Sequence, residues 1–311
     1  MFSERNRIGM TKFHVLYNPV AGRGWNDEKE KAVRSAIGES DPVFHDMTSV
    51  DSSVDYADFF SEFGDDDKLL IVGGDGTLNR FINDTAKIKL SCPVYYFAGG
   101  SGNDFLHDIG GEAGKTVQIN RYLEKLPSVT VNGKTYKFIN GIGYGIDGYC
   151  CEVGDAMKSS GKTDINYAGI AISGLLFHFK PSDAVVTVDG VSHEYRDVWL
   201  APTMNGRYYG GGMMPTPDQD RLGDGSLSVL VWHGRGKLRT LCAFPSIFKG
   251  EHLSRPKMCE VLTGRRINVK FKKPCALQID GETICGVSEY TAVSYDSSSN
   301  AAEEAKEEIR A

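Results

Sequence analysis

"LLIVGGDGTLNR", residues 69–80, decides how this chain is read. Leu69, Leu70, Ile71 and Val72 form a short apolar run of the kind that fills a fully buried strand. Gly73, Gly74 and Gly76 then leave the backbone around Asp75 bare of Cβ atoms, open to close approach by a bulky ligand. From Thr77 to Ala86 the apolar residues Leu78, Phe81 and Ile82 recur at helical spacing, so Asp75 is expected on a strand-to-helix turn. A capped turn needs one Asp or Thr and no set of three glycines. A carboxylate inside an anion-binding loop repels phosphate unless a divalent cation lies between them. The stretch therefore points to phosphate and metal together.

Outward from it, strand and helix signals alternate. "FHVLYNP", "PVFHDMTS", "KLLIVGG" and "CPVYYFAGG" read as strands, separated by helical patterns in "DEKEKAVRSAIG", "SSVDYADFFSEF" and the segment from Thr77. Such alternation predicts βαβ units and a parallel sheet, an α/β domain over residues 11–115 with helices on both sides. From residue 116 the texture changes to paired runs split by turns: "SVTVNGKTYKFIN" around Asn-Gly and "AVVTVDGVSHEYRDVWLAPT" around Asp-Gly, both hairpin signatures. "GSLSVLVW", "RRINVKFKK", "CALQIDGETI" and "EYTAVSY" continue it, so residues 116–296 are expected as a mostly antiparallel β-sandwich. Helices are expected near Asp155–Lys158, Asn166–Phe179 and Lys237–Phe248, with a polar tail at 297–311.

With 311 residues the chain has room for two domains with real cores. A net charge of −6 argues against a general nucleic-acid binder, whose affinity comes from clustered Lys and Arg. Seven cysteines, an odd number without CxxC pairs, give a structural zinc site little support and suit a reduced cytoplasmic setting. "MFSERNRIGMTKF" holds no apolar core of a secretory leader. "YAGIAISGLLFHF", Tyr167–Phe179, falls short of the roughly 20 residues that span a bilayer; it is read as core before lipid lining. "RRINVKFKK" is read as a solvated face that could also rest on anionic headgroups.

Three loops, "NPVAGRG", "GGDGTLN" and "GGSGND", fall at strand ends of the first domain and should converge on one crevice. No GxxxxGK[ST] occurs, which excludes ordinary P-loop chemistry. "GYGIDG" satisfies GxGxxG, with Asp164 about 20 residues on, but lies in the β-rich half where a Rossmann unit has no reason to begin. "NGRYYGGGMMP" is a Gly-rich loop, mobile or a lid on the acceptor side.

The ordered set "NPVAG", "GGDGTLN", "GSGND", "NGIGYGID", "DGSLSVLV" and "DGE" resembles the diacylglycerol kinase catalytic-domain family of lipid kinases, over roughly residues 11–295. "GGDGT" alone is shared with NAD kinases. The resemblance implies an α/β nucleotide domain, a β-sandwich domain, and ATP meeting its acceptor between them. It implies phosphate and nucleotide contacts at Asn18, Pro19, Val20, Ala21 and Gly22, at Gly73, Gly74, Asp75, Gly76, Thr77, Leu78 and Asn79, and at Asn103 and Asp104. Thr48 and Ser101 carry over as hydroxyl contacts. A divalent-ion site maps to Asp224 by side chain, with Arg221 and Ser226 by backbone carbonyls. Ser101 stands where the family usually has Thr, and Arg80 where it often has Glu, which leaves acceptor and nucleotide preference open.

Phosphoryl transfer to an alcohol needs charge neutralisation, here by Mg²⁺ anchored on Asp75 with Asp104 in support, and a carboxylate base. Asp280 and Glu282 flank Gly281 and share a face if the strand stays extended; which of Asp280, Glu282 or Asp75 takes the proton stays open. Expected partners are a lipid alcohol and a peripheral membrane surface, with a homodimer as the candidate assembly and no nucleic acid. The competing readings are a kinase with a soluble acceptor such as NAD, and a nucleotide-binding regulator without turnover.

Overall fold

The computed structural model describes residues 12–19, 24–38, 40–49, 53–100, 102–160, 170, 173–174, 178–234 and 236–295. Val20, Ala21, Gly22, Ser101, most of the helix expected at 166–179, and the tail lie outside the described residues. The chain divides between Arg121 and Tyr122 into two compact units.

The first unit runs β1 (Lys12–Tyr17), α1 (Asp27–Ile37), β2 (Asp41–Asp46), α2 (Ser53–Ser61), β3 (Lys68–Gly73), α3 (Asp75–Asp84), β4 (Val94–Ala98), α4 (Asp104–Asp108) and β5 (Val117–Gln118). Its sheet has the order β2-β1-β3-β4-β5, parallel except for β5. Successive residues of a strand face opposite sides, and the two sides here meet different helices. Phe13, Val15, Leu70, Val72 and Phe97 pack with Val33 of α1. On the other side His14 meets Phe59 of α2, Tyr96 meets Phe105 of α4, and Tyr56 of α2 meets Phe81 of α3. Helices thus cover both faces, as right-handed crossovers from this strand order require.

On the α2 side sits a polar cluster. His14 Nδ1 lies 3.1 Å from His45 Nε2 and its Nε2 3.3 Å from Asp67 Oδ2, while the ring stacks on Phe63. Burial, and next the neighbouring His14, lower the pKa of His45, against a smaller upward pull from Glu62.

After α5 (Asn120–Leu123) the strands are β6 (Ser128–Val131), β7 (Lys134–Lys137), β8 (Gly141–Tyr144), β9 (Ser182–Val188), β10 (Val191–Leu200), β11 (Thr203–Met204), β12 (Leu227–His233), β13 (Cys259–Gly264), β14 (Arg266–Ile279) and β15 (Glu282–Val293). They form one sheet in the order β7-β6-β15-β14-β8-β11-β12-β10-β9, with β13 on β12. β9 also pairs with β14, so the sheet closes into a barrel around Tyr144, Val186, Val229, Phe271 and Leu277. Three two-residue turns with both central φ positive join hairpins: Asn132-Gly133, Asp189-Gly190 and Asp280-Gly281. These are the Asn-Gly and Asp-Gly turns whose twist matches that of the flanking strands.

A helix α6 spans Ile146–Ser159, where the sequence suggests only a short one near Asp155. Gly148 and Gly154 weaken its helical pattern. Gly148 is needed because a Cβ there would stand 2.0 Å from the carbonyl oxygen of Ala276 on β14. Gly145, at φ 106, turns the chain from β8 into α6 against Trp199. The glycines of "GYGIDG" therefore serve close packing. Among the described residues the next helix is α7 (Lys237–Ala243), followed by 3₁₀ turns at Phe244–Lys249 and Glu251–Ser254.

Candidate active site

In the first unit the crossover from β1 leads toward β2 and that from β3 toward β4, so the loops leaving these neighbouring strands diverge and open a crevice at their carboxyl ends. Asn18, next after β1, brings its Nδ2 within 3.5 Å of Thr77 Oγ1, and the Pro19 carbonyl accepts the Trp25 amide at 3.2 Å. Gly73 ends β3 against Thr77, where a Cβ would stand 2.4 Å from Oγ1. Gly74 meets Gly100 backbone to backbone, and a Cβ on Gly100 would lie 2.5 Å from the Gly74 Cα. Protein packing therefore requires Gly73 and Gly100 before any ligand does. The sequence suggests a reason in the ligand alone.

Asp75 joins the two loops. Its Oδ2 accepts the amide of Asp104 at 3.0 Å and its Oδ1 that of Phe105 at 2.9 Å, so the carboxylate caps α4. Asn103, at φ 52, clamps the same loop: its Oδ1 accepts from the Gly100 amide and its Nδ2 donates to the Gly100 carbonyl. No side chain caps α3, whose amino end begins at Gly74 beside Gly76 and Thr77. Helix amino ends of this kind favour anions through their amides and dipole. Leu78, Asn79 and Asp104 are buried, and the Asn79 carbonyl accepts Asn83 Nδ2. Thr48 donates its hydroxyl to Asp46 in the turn after β2. Arg80 pairs with Asp84 one turn along α3.

The Asp75 carboxylate accepts the amides of Asp104 and Phe105 at the mouth of the crevice. A carboxylate in this place suits Mg²⁺, which is usually held by one or two carboxylates plus substrate phosphates. The expected site at Asp224 is different. Its Oδ1 accepts both the amide and the hydroxyl of Ser226, the Ser226 carbonyl accepts Gln219 Nε2 at 2.9 Å, and the Arg221 side chain extends to Ile139 and Asn140. Among the described residues no three His, Cys, Asp or Glu side chains gather to hold a metal ion.

The second unit contains a buried anchor. Asp280 is 6% exposed and its carboxylate accepts three amides: Ile139 at 2.6 Å, Asn140 at 2.8 Å and Gly141 at 2.9 Å. The same segment is held through its carbonyl side, because Ile139 O accepts from Arg221 Nη1 and Asn205 Nδ2, each at 2.9 Å. Asp280-Gly281 is the hairpin turn itself, with Ile279 paired to Glu282, so the strand does not stay extended. Asp280 points inward and Glu282 is exposed at the start of β15. Asn205 and Gln278, whose Oε1 accepts the Gly281 amide at 2.6 Å, are supports that sequence reasoning missed; for Gln278 the available signal was a lone polar residue in the apolar end of β14. "NGRYYGGGMMP" is tied down rather than open, since Tyr209 and Met213 exchange backbone hydrogen bonds and both are buried.

Asp147, early in α6, is buried against Gly143 and Gln278. Neither oxygen has a partner at full hydrogen-bond geometry. Burial pushes its pKa up to about 6, opposed by the amides of Asp147 and Gly148 and by the nearby Gln278 and Tyr209.

The family "Diacylglycerol kinase catalytic domain" matches residues 12–133, and "YegS C-terminal NAD kinase beta sandwich-like domain" matches residues 140–294. The chain belongs to the diacylglycerol kinase catalytic-domain family of lipid kinases. This lipid kinase is 25% identical over 303 residues to a Mycobacterium tuberculosis protein named diacylglycerol kinase, covering 90% of this chain and 91% of that one. A solved structure titled as a diacylglycerol kinase from Bacillus anthracis superposes with a TM-score of 0.57 at 17% identity, over 92% of this chain and 97% of that one. That likeness establishes the two-part fold of the kinase. No helix among the described residues of the kinase is long and apolar enough to cross a membrane.

Proposed function

We propose that this kinase transfers the terminal phosphoryl group of ATP to the hydroxyl of a diacylglycerol-like or sphingoid lipid alcohol. The single observation that carries this is the uncapped amino end of α3, opening where the Gly74 and Gly100 backbones touch and Asp75 bridges the loops. In this reading the loop Asn18–Gly22 and the turn Gly73–Asn79 contact the nucleotide and its triphosphate, with Thr48 and Ser101 as hydroxyl contacts and Asn103 and Asp104 shaping the loop. Asp75, supported by Asp104, would anchor Mg²⁺, which supplies charge neutralisation on the phosphate oxygens.

Of the three carboxylates, Glu282 is the base in this reading. Asp280 already accepts three amides and Asp75 two, whereas Glu282 is exposed on the hairpin that Asp280 fixes. The alcohol proton passes to Glu282 as the new O–P bond forms and the bond to ADP breaks. Asp280 is the positioning residue. No step runs through Asp224.

The test is transfer of labelled phosphate from ATP to dispersed diacylglycerol, to sphingosine and to NAD. Lipid product, lost in Asp75→Asn and Glu282→Gln, is expected. Product on NAD alone overturns the acceptor, and no product on any of them favours a regulator.

A further inference from the structure

The chain leaves the barrel at the end of β12 and returns to pair β13 with it, Trp232 opposite Cys259. Residues 236–258 build a cap with two unlike sides. Thr240, Ala243, Phe244 and Ile247 are buried, and the last three pack with Trp232 and Met258. The other side is apolar and open. Leu238 is 73% exposed and Phe248 44%, with Cys242 and Pro245 exposed between them. Leu238 and Cys242 are four apart on α7 and share its outer face. Pro245 and Phe248 are three apart in a 3₁₀ turn, where such residues eclipse. One outward row results. Because Ile247 and Phe244 occupy the inner side, Leu238 and Phe248 have no route into the core.

Cations border this row. Lys237, Arg239, Lys249, Arg255 and Lys257 are all exposed, against Glu251 alone on the same cap, in a chain whose net charge is −6. We infer that the cap over residues 236–258 docks the protein on an anionic lipid bilayer, Leu238 and Phe248 entering the headgroup boundary and the five cations meeting lipid phosphates. Apolar side chains flanked by long cationic ones are the pattern of interfacial binding. A protein partner would need a far larger complementary face than one short row supplies. A bilayer accepts partial insertion without shape complementarity, and its negative surface answers the local charge. The purpose of the docking rests on the lipid-acceptor reading; the docking itself does not.

The test is flotation of the full chain with phosphatidylcholine vesicles, with and without phosphatidylglycerol. Binding to the anionic vesicles is expected, weakened about tenfold or more in Leu238→Ser/Phe248→Ser and in Lys249→Glu/Lys257→Glu. Melting temperature checks that both variants fold, and turnover on detergent-dispersed diacylglycerol should match the parent protein. Equal vesicle binding by parent and variants, or none by the parent, overturns the docking. Loss of dispersed-lipid turnover in the parent overturns the acceptor reading and leaves the flotation result to stand alone.

Discussion

Asp280 Oδ2 accepts the amide of Ile139 at 2.6 Å, tying a hairpin turn to the bend that leads into β8, 141 positions earlier in the chain. With the Asn140 and Gly141 amides on its other oxygen, this carboxylate fixes both the start of β8 and the turn that presents Glu282.

Asp280 and Glu282 should therefore separate under mutation. Asp280→Ala strands three buried amides and is expected to lower stability by on the order of 3 kcal/mol or more. Glu282→Gln is expected to leave stability within about 0.5 kcal/mol and cut turnover by roughly 10² to 10⁴. Denaturant titration and initial rates on both variants check this; a stable Asp280→Ala protein contradicts the anchoring role.

The contact between Gly74 and Gly100 predicts an asymmetric response to a single methyl group. Gly100→Ala forces backbone apart and should cost about 1 to 3 kcal/mol with loss of nucleotide affinity. Gly99→Ala meets only ordinary contacts at 3.9 Å and should fold as the parent does. Thermal melts with and without ATP compare the pair.

Asp147 predicts a gain. Its folded pKa, about 6, lies above the ordinary 3.8, so the charged form opposes folding and stability falls as pH rises from the lower value through the higher. Above that window the penalty is about 3 kcal/mol. Asp147→Asn should melt higher than the parent at neutral pH and lose that advantage in acid. An unchanged melting difference across pH counts against it.

His45 predicts the opposite slope. Its pKa is lowered in the folded chain, so the unfolded chain takes up protons more readily and stability falls as pH drops below about 6.5. His14, Glu62 and Asp67 are the titratable groups in play around it. Asp67, held below the usual carboxylate range by the Gly64 and Lys12 amides and His14 against the upward push of burial, acts at lower pH. His45→Gln should flatten denaturation midpoints between about pH 7 and 5; a slope equal to the parent's would argue for another group.

The parallel core of the first unit was legible because β1, β3 and β4 are short apolar runs closed by Gly or by Asn-Pro, and the helices between carry their own period. The Asn132-Gly133 and Asp189-Gly190 hairpins were legible for the same local reason, whereas the strand through Asp280 was expected to stay extended. Two kinds of feature were not. α6 hides behind Gly148, whose presence answers to a carbonyl on β14, 128 positions away in sequence. The inward aim of Asp280 and the approach of Gly100 to Gly74 depend on partners brought by the fold, which no local pattern announces. The lone glycine loops suggested ligands where part of their cause is crowding.

Barrel closure through β9 and β14 has a consequence for handling the protein at high concentration. Among the described residues, β7 and β13 each pair on one side only, and β7 reads "KTYK", with a lysine at each end. Ammonium groups on so brief a border discourage a second molecule from adding its backbone there. This half of the chain should resist fibre-like self-association during concentration, storage and refolding.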